Sequence, residues 1–195
     1  MEIYRQAVGD RFRLFGFRND FMQQGEFFAV DILQTICFYK KINDWVHANT
    51  TWKTYYHTCG SVVNLLDDFV EMGMDIINPL QFSAKGMDPV VIKQKYGDKL
   101  FWGGGVDTQK VLSFGTAQEV EDQVKERLQQ LSPGGGYVFN TIHNVVGNVP
   151  AQNLLAMFNA YREFCGLKLL KSDADSSACI PARGWAGFIR GSFVC

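Results

Sequence analysis

An alternation constrains this chain more than anything else: short β-runs separated by segments of helical period, five times over. The β-runs are Arg13–Phe17, Lys53–His57, Asp75–Asn78, Leu100–Trp102 and Tyr137–Ile142. After the second run, Val62, Leu65, Leu66, Phe69 and Val70 make one apolar stripe that Gly73 stops. Asp88 and Pro89 predict the next helix, with Asp as its N-cap and Pro at its first position, and Gly97 ends it. Thr116 and Glu119 spell a capping box ahead of Val120, Val124, Leu128 and Leu131, which share one helix face. Glu121 and Lys125 have the order of an i,i+4 ion pair on the solvent side. Pro150 opens a last helix, whose Leu154, Leu155, Phe158 and Tyr161 are predicted to face inward.

Strands alternating with helices argue for an α/β fold, a parallel sheet covered by helices. A complete eight-unit barrel takes about 250 residues and roughly 200 at least. Five units in a chain of 195 residues leave two choices, an open five-stranded sheet or the C-terminal part of a barrel. From Gly166 onward neither period persists. The predicted division is therefore a folded region over 1–165 and an irregular tail over 166–195.

With 47% hydrophobic residues the chain can bury one sizeable core. Its 19 Lys+Arg against 20 Asp+Glu provide no electrostatic footprint for nucleic acid or an anionic membrane. No apolar run approaches the roughly 18 residues of a spanning helix, and the opening MEIYRQAVGDRFRLFGF lacks the apolar stretch of a secretory signal. Five widely spaced cysteines, an odd count, fit a reduced compartment better than a disulfide framework. The expected setting is cytoplasmic, without nucleic acid or membrane as partner.

Polar residues follow the β-runs, at the strand ends where barrel chemistry is built. After the second run stands His57-Thr58-Cys59-Gly60. Positions i and i+2 of a strand point the same way, so an imidazole and a thiolate converge there. That pair suits zinc, whose catalytic sites take three protein ligands and keep one open position; the alternative is a packed histidine beside an inert cysteine. His143, just after the last run, is a candidate third ligand or acid/base, or else a hydrogen-bonded structural histidine. Gly103-Gly104-Gly105-Val106-Asp107-Thr108-Gln109 reads as a loop after the fourth run, with Asp107 either a helix N-cap or a carboxylate facing the pocket. Asn19 and Asp20, with Gln23 and Gln24, follow the first run, and Asn78 and Gln81 the third. His47 reads as a surface residue without a role.

Taken in order, His57-Thr58-Cys59-Gly60, Asp75-Ile76-Ile77-Asn78-Pro79-Leu80-Gln81, Gly86-Met87-Asp88, Gly103 to Gln109, Gly134-Gly135-Gly136-Tyr137, His143 and Val149-Pro150 form a series. It resembles the C-terminal half of the uroporphyrinogen decarboxylase superfamily, from about residue 2 to residue 164, and most of all its zinc-dependent, corrinoid-linked methyltransferase branch. The resemblance implies a partial (β/α)8 TIM barrel, with the strands here as the fourth to eighth and three units expected before Met1. It implies zinc on His57 and Cys59, with His143 where that branch has a cysteine. Asp20 and Asp107 are then expected catalytic positions beside His143, and Asn78, Gln81 and Gln109 substrate-binding ones. The implied partners are a small thiol and a corrinoid protein as methyl donor. In the decarboxylases proper a histidine matches His143, the substrate is a tetrapyrrole polycarboxylate, and neither metal nor cofactor is used. Gln152 stands where the family often has Glu. A third expectation is an incomplete barrel without activity of its own, self-associating through open edges.

Overall fold

Five strands run parallel and lie in the sheet in the order in which they occur in the chain: β1 (Leu14–Arg18), β2 (Lys53–His57), β3 (Ile76–Leu80), β4 (Phe101–Val106) and β5 (Tyr137–Thr141). This is seen in a computed structural model, which describes Glu2, Gln6, residues 13–18 and residues 37–171. Asn19, Asp20, Gln23 and Gln24 lie outside the described residues, as does the tail from 172. Helix α1 (Cys37–Asn49) precedes β2, and α2 (Leu66–Glu71), entered by a 3-10 turn over Val63–Leu65, connects β2 to β3. Helix α3 (Pro89–Tyr96) connects β3 to β4, α4 (Val111–Phe114) and α5 (Ala117–Leu131) connect β4 to β5, and α6 (Ala151–Phe164) follows. Sequential parallel order with a helical crossover at each step is the winding of a (β/α)8 barrel, of which these strands form a part.

Local chemistry sets the element boundaries. The Asp88 carboxylate accepts from Val90 N and Val91 N, capping α3 ahead of Pro89, and the Thr116–Glu119 capping box is complete at the start of α5. Along α5, Val120, Val124, Leu128 and Leu131 are fully buried, each contributing about 1.5–3 kcal/mol. Lys125 pairs with Glu121 at 2.6 Å on the outer side. In β2 the period of two sends Thr54 and Tyr56 into the interior, where the Tyr56 ring packs on Phe69 of α2 and Tyr39 of α1. Tyr55 and His57 face the opposite side and are half-buried.

Three expectations change. Gly103 to Gly105 lie within β4 and not in a loop after it. Strand β3 shifts register between Ile77 and Leu80 and crowds β4: a Cβ at Gly103 would stand 2.6 Å from Asn78 Nδ2, and one at Gly104 2.9 Å from Leu80 N. Gly104 also has φ +103°, so only glycine fits this approach. Helix α6 is rotated from its apolar reading, burying Asn153, Met157, Ala160 and Tyr161 while Phe158 is exposed. Asn153 Nδ2 donates to Leu112 O and Gly115 O, so an amide that satisfies the carbonyls around the end of α4 sets the inward face. His47, finally, is bonded at 2.7 Å to Asp75 Oδ2, tying α1 to the residue that opens β3.

Candidate functional site

Where β2 ends, His57 is the register partner of Asn78 in the middle of β3, and Thr58 N donates to Asn78 O at 2.9 Å. Tyr55, two residues before His57 and on the same face, donates its hydroxyl to Asn78 Oδ1 at 2.6 Å. His57 Nδ1 meets the same oxygen at 3.0 Å. An amide oxygen only accepts, so this bond requires the proton on Nδ1 and leaves the lone pair on Nε2. Nε2 in turn lies 3.7 Å from Cys59 Sγ.

That last distance tests the fit of the pair to zinc. With Zn–S of about 2.3 Å and Zn–N of about 2.0–2.1 Å at a tetrahedral angle, the two donor atoms stand roughly 3.6 Å apart. The observed separation matches, and Nε2 is in the tautomer a ligand needs. Two donors therefore fit. Among the described residues no three His, Cys, Asp or Glu side chains gather into a set that could hold an ion.

A cleft of about 720 Å³ opens beside the pair, lined by Tyr55, His57, Asn78, Asn140 and the segment from Thr141 to Val145. It brings His57, Asn78 and His143 to one space, with His143 exposed on its rim. Gln81 is buried, and its Oε1 accepts from Gly60 N at 2.9 Å, holding the turn that carries Cys59. Asp107 and Gln109 belong to the turn after β4: Asp107 Oδ1 accepts from Gln109 N at 2.7 Å and from Lys110 N at 3.3 Å. Neither lines the cleft. Asp107 N is held by Gln123 Oε1 of α5 at 2.8 Å.

Two participants escape a search for ionisable residues. Tyr55 reads only as a strand aromatic, although its spacing from His57 already puts both on one face. Asn140 of β5 lines the cleft, and its side-chain oxygen accepts from Gly104 N. Tyr137 donates its hydroxyl to Gly104 O at 2.7 Å, and burial pushes that phenol well above its ordinary range, so it keeps the proton it donates.

The sequence matches the family described as uroporphyrinogen decarboxylase (URO-D) over residues 34–164. No curated protein sequence matches the chain. Among solved structures, a methyltransferase from Methanosarcina mazei superposes with a TM-score of 0.60 at 18% identity, over 78% of this chain and 42% of its own. At that identity the likeness is one of fold, and the chain spans less than half the length of that methyltransferase. Residues 34–164 take in every strand but the first and both histidines of the cleft, and over that stretch this chain belongs to the uroporphyrinogen decarboxylase family.

Proposed function

We propose that this protein is a zinc-dependent methyltransferase that moves a methyl group from a corrinoid carried by a partner protein to a small thiol. The observation that carries the reading is the His57 Nε2–Cys59 Sγ separation of 3.7 Å, with the far side of the imidazole fixed by Asn78. In this reading His57 and Cys59 hold the ion, and His143, which stands on the rim of the same cleft, has to move in to become the third ligand. Zinc supplies Lewis-acid stabilisation, keeping a bound thiol as thiolate at neutral pH. The chain's own residues do the rest. Gln81 holds the turn that carries Cys59, Asn140 and Asn144 offer neutral hydrogen-bonding groups along the cleft, Asp20 orients substrate, and Asp107 holds the turn after β4.

The likeness to the methyltransferase structure supports this reading at the level of fold. The described lining of the cleft supports it chemically, being histidine, asparagine, tyrosine and threonine with two aliphatic residues. Such a surface suits a small polar molecule better than a tetrapyrrole bearing several carboxylates, which calls for guanidinium partners.

The test is the zinc content of the purified chain beside a His57→Ala, Cys59→Ser double variant. Near one zinc per chain, lost in the variant, is the expected result. Well-folded protein that takes up no zinc removes the thiol-activation mechanism.

A further inference from the structure

We infer that Asn78, braced by Tyr55, is a positioning residue whose side-chain oxygen dictates the tautomer of His57 and so delivers the Nε2 lone pair toward Cys59. The inference deepens the zinc reading and rests on it for its purpose, while its geometry stands without a metal.

The imidazole has two nitrogens, and only the one without a proton can ligate or accept. Left to itself the ring populates both neutral forms. Here one oxygen, Asn78 Oδ1, sits 3.0 Å from Nδ1 and 2.6 Å from the Tyr55 hydroxyl. The short Tyr55 bond acts on the amide rather than on the histidine. Rotating the Asn78 amide would replace the oxygen with Nδ2 and set an N–H donor against the Nδ1 proton. At 2.6 Å the tyrosine contact has the length of an O–H···O bond and is short for the N–H···O bond that a rotated amide would donate to the phenol oxygen. Tyr55 therefore biases the amide, and the amide biases the ring.

The frame around these groups is rigid. Asn78 is only 6% exposed, its own carbonyl is engaged by Thr58 N, and Gly103 passes against its side chain on β4. Tyr55 and His57 project from one strand at fixed spacing. Groups that bond to the distal nitrogen of a ligating histidine typically change metal affinity about 10–100-fold when removed.

The experiment uses the full chain, metal-free, with histidine labelled by nitrogen-15. Long-range proton–nitrogen correlation spectra at mildly alkaline pH identify which ring nitrogen of His57 is protonated. In the unmodified chain we expect a protonated Nδ1 and an unprotonated Nε2. Asn78→Ala populates the other tautomer, whereas Asn78→Asp, which keeps an oxygen at that position, retains the original one. Tyr55→Phe keeps Asn78 in place and moves the spectrum in the same direction as Asn78→Ala but less far. It decides the matter if Asn78→Ala fails to fold. In parallel, zinc titration shows an affinity about 10–100-fold weaker for Asn78→Ala and restored in Asn78→Asp. An unprotonated Nδ1 in the unmodified chain overturns the inference, and so does a tautomer unchanged in Tyr55→Phe and in any folded Asn78→Ala. If the tautomer responds as stated but no variant takes up zinc, the positioning role stands and the zinc reading alone fails.

Discussion

Asp75 is the residue whose removal most sharply tests how the sheet is tied to α1. Its carboxylate accepts from Thr54 N at 2.7 Å and Thr54 Oγ1 at 3.1 Å, from His47 Nε2 at 2.7 Å and from Lys53 Nζ at 3.0 Å. Asp75→Ala leaves the N–H of the fully buried Thr54 without that acceptor, which costs about 1–3 kcal/mol. The two ion pairs reach half-exposed or exposed cations, so each adds only about 0–1 kcal/mol. The expected loss is about 2–4 kcal/mol. In a urea titration with a slope of about 2 kcal/mol per molar, that lowers the midpoint by roughly 1–2 M at unchanged slope. Asp75→Asn keeps an acceptor oxygen and loses less. The pH dependence follows from the same contacts. Burial pushes the carboxyl up, but the Thr54 N–H, His47 and Lys53 outweigh it and hold it below the usual carboxylate range. A pKa lower in the folded than in the unfolded chain means stability present above the unfolded value of about 3.9 and lost as pH falls through the folded value. The gap between Asp75→Ala and the unmodified chain should therefore be full at pH 6 and close progressively below about pH 4. An Asp75→Ala variant within about 0.5 kcal/mol of the unmodified chain at neutral pH, or a gap that persists undiminished in acid, would refute the reasoning.

Other substitutions probe the strand crossing and the inward face of α6. Gly104→Ala combines a left-handed φ with a Cβ 2.9 Å from Leu80 N and 3.0 Å from Pro79 Cβ, and should cost more than about 2 kcal/mol in chemical denaturation. Full stability in that variant would mean that β3 does not crowd β4. Asn153→Ala strands the carbonyls of Leu112 and Gly115 and should cost about 2–3 kcal/mol. Asn159→Ala, whose amide bonds an exposed segment at Leu170, serves as the control with a loss under about 0.5 kcal/mol; equal losses in the two would discount the buried amide.

How much of this was legible beforehand depends on whether the cause is local. The bounds of β2, the Asp88 cap and the Thr116–Glu119 box could be read directly, because each is decided within four residues of sequence. The fold class followed from alternation, and the His57–Cys59 pairing from the period of a strand. What escaped depends on distant partners. Three glycines look like a loop until a bulged neighbour explains why the strand needs them. An asparagine looks like the wet side of α6 until the end of α4 supplies two carbonyls for it. His47 looks idle until Asp75 arrives from twenty-eight residues away. Asp107 stood between two readings, and its Oδ1 bonds the turn that leads into α4. The neutral side chains of the cleft, Tyr55 and Asn140, carry no ionisable signature to attract notice.

The order of the strands has a consequence for motion. Among the described residues each strand bonds only to its neighbours in sequence, so the sheet behaves as a ladder whose rungs support one another in turn. Strands β2 and β3, which carry His57 and Asn78, are flanked on both sides, whereas β5, which leads into His143, is paired on one side among the described residues. The cleft thus has one stiff wall and one soft wall. Amide hydrogen exchange should be slow at β2 and β3 and faster at β5. A ligand bridging the walls would fasten the last rung to the middle of the ladder, and protection at β5 should rise more than at β2.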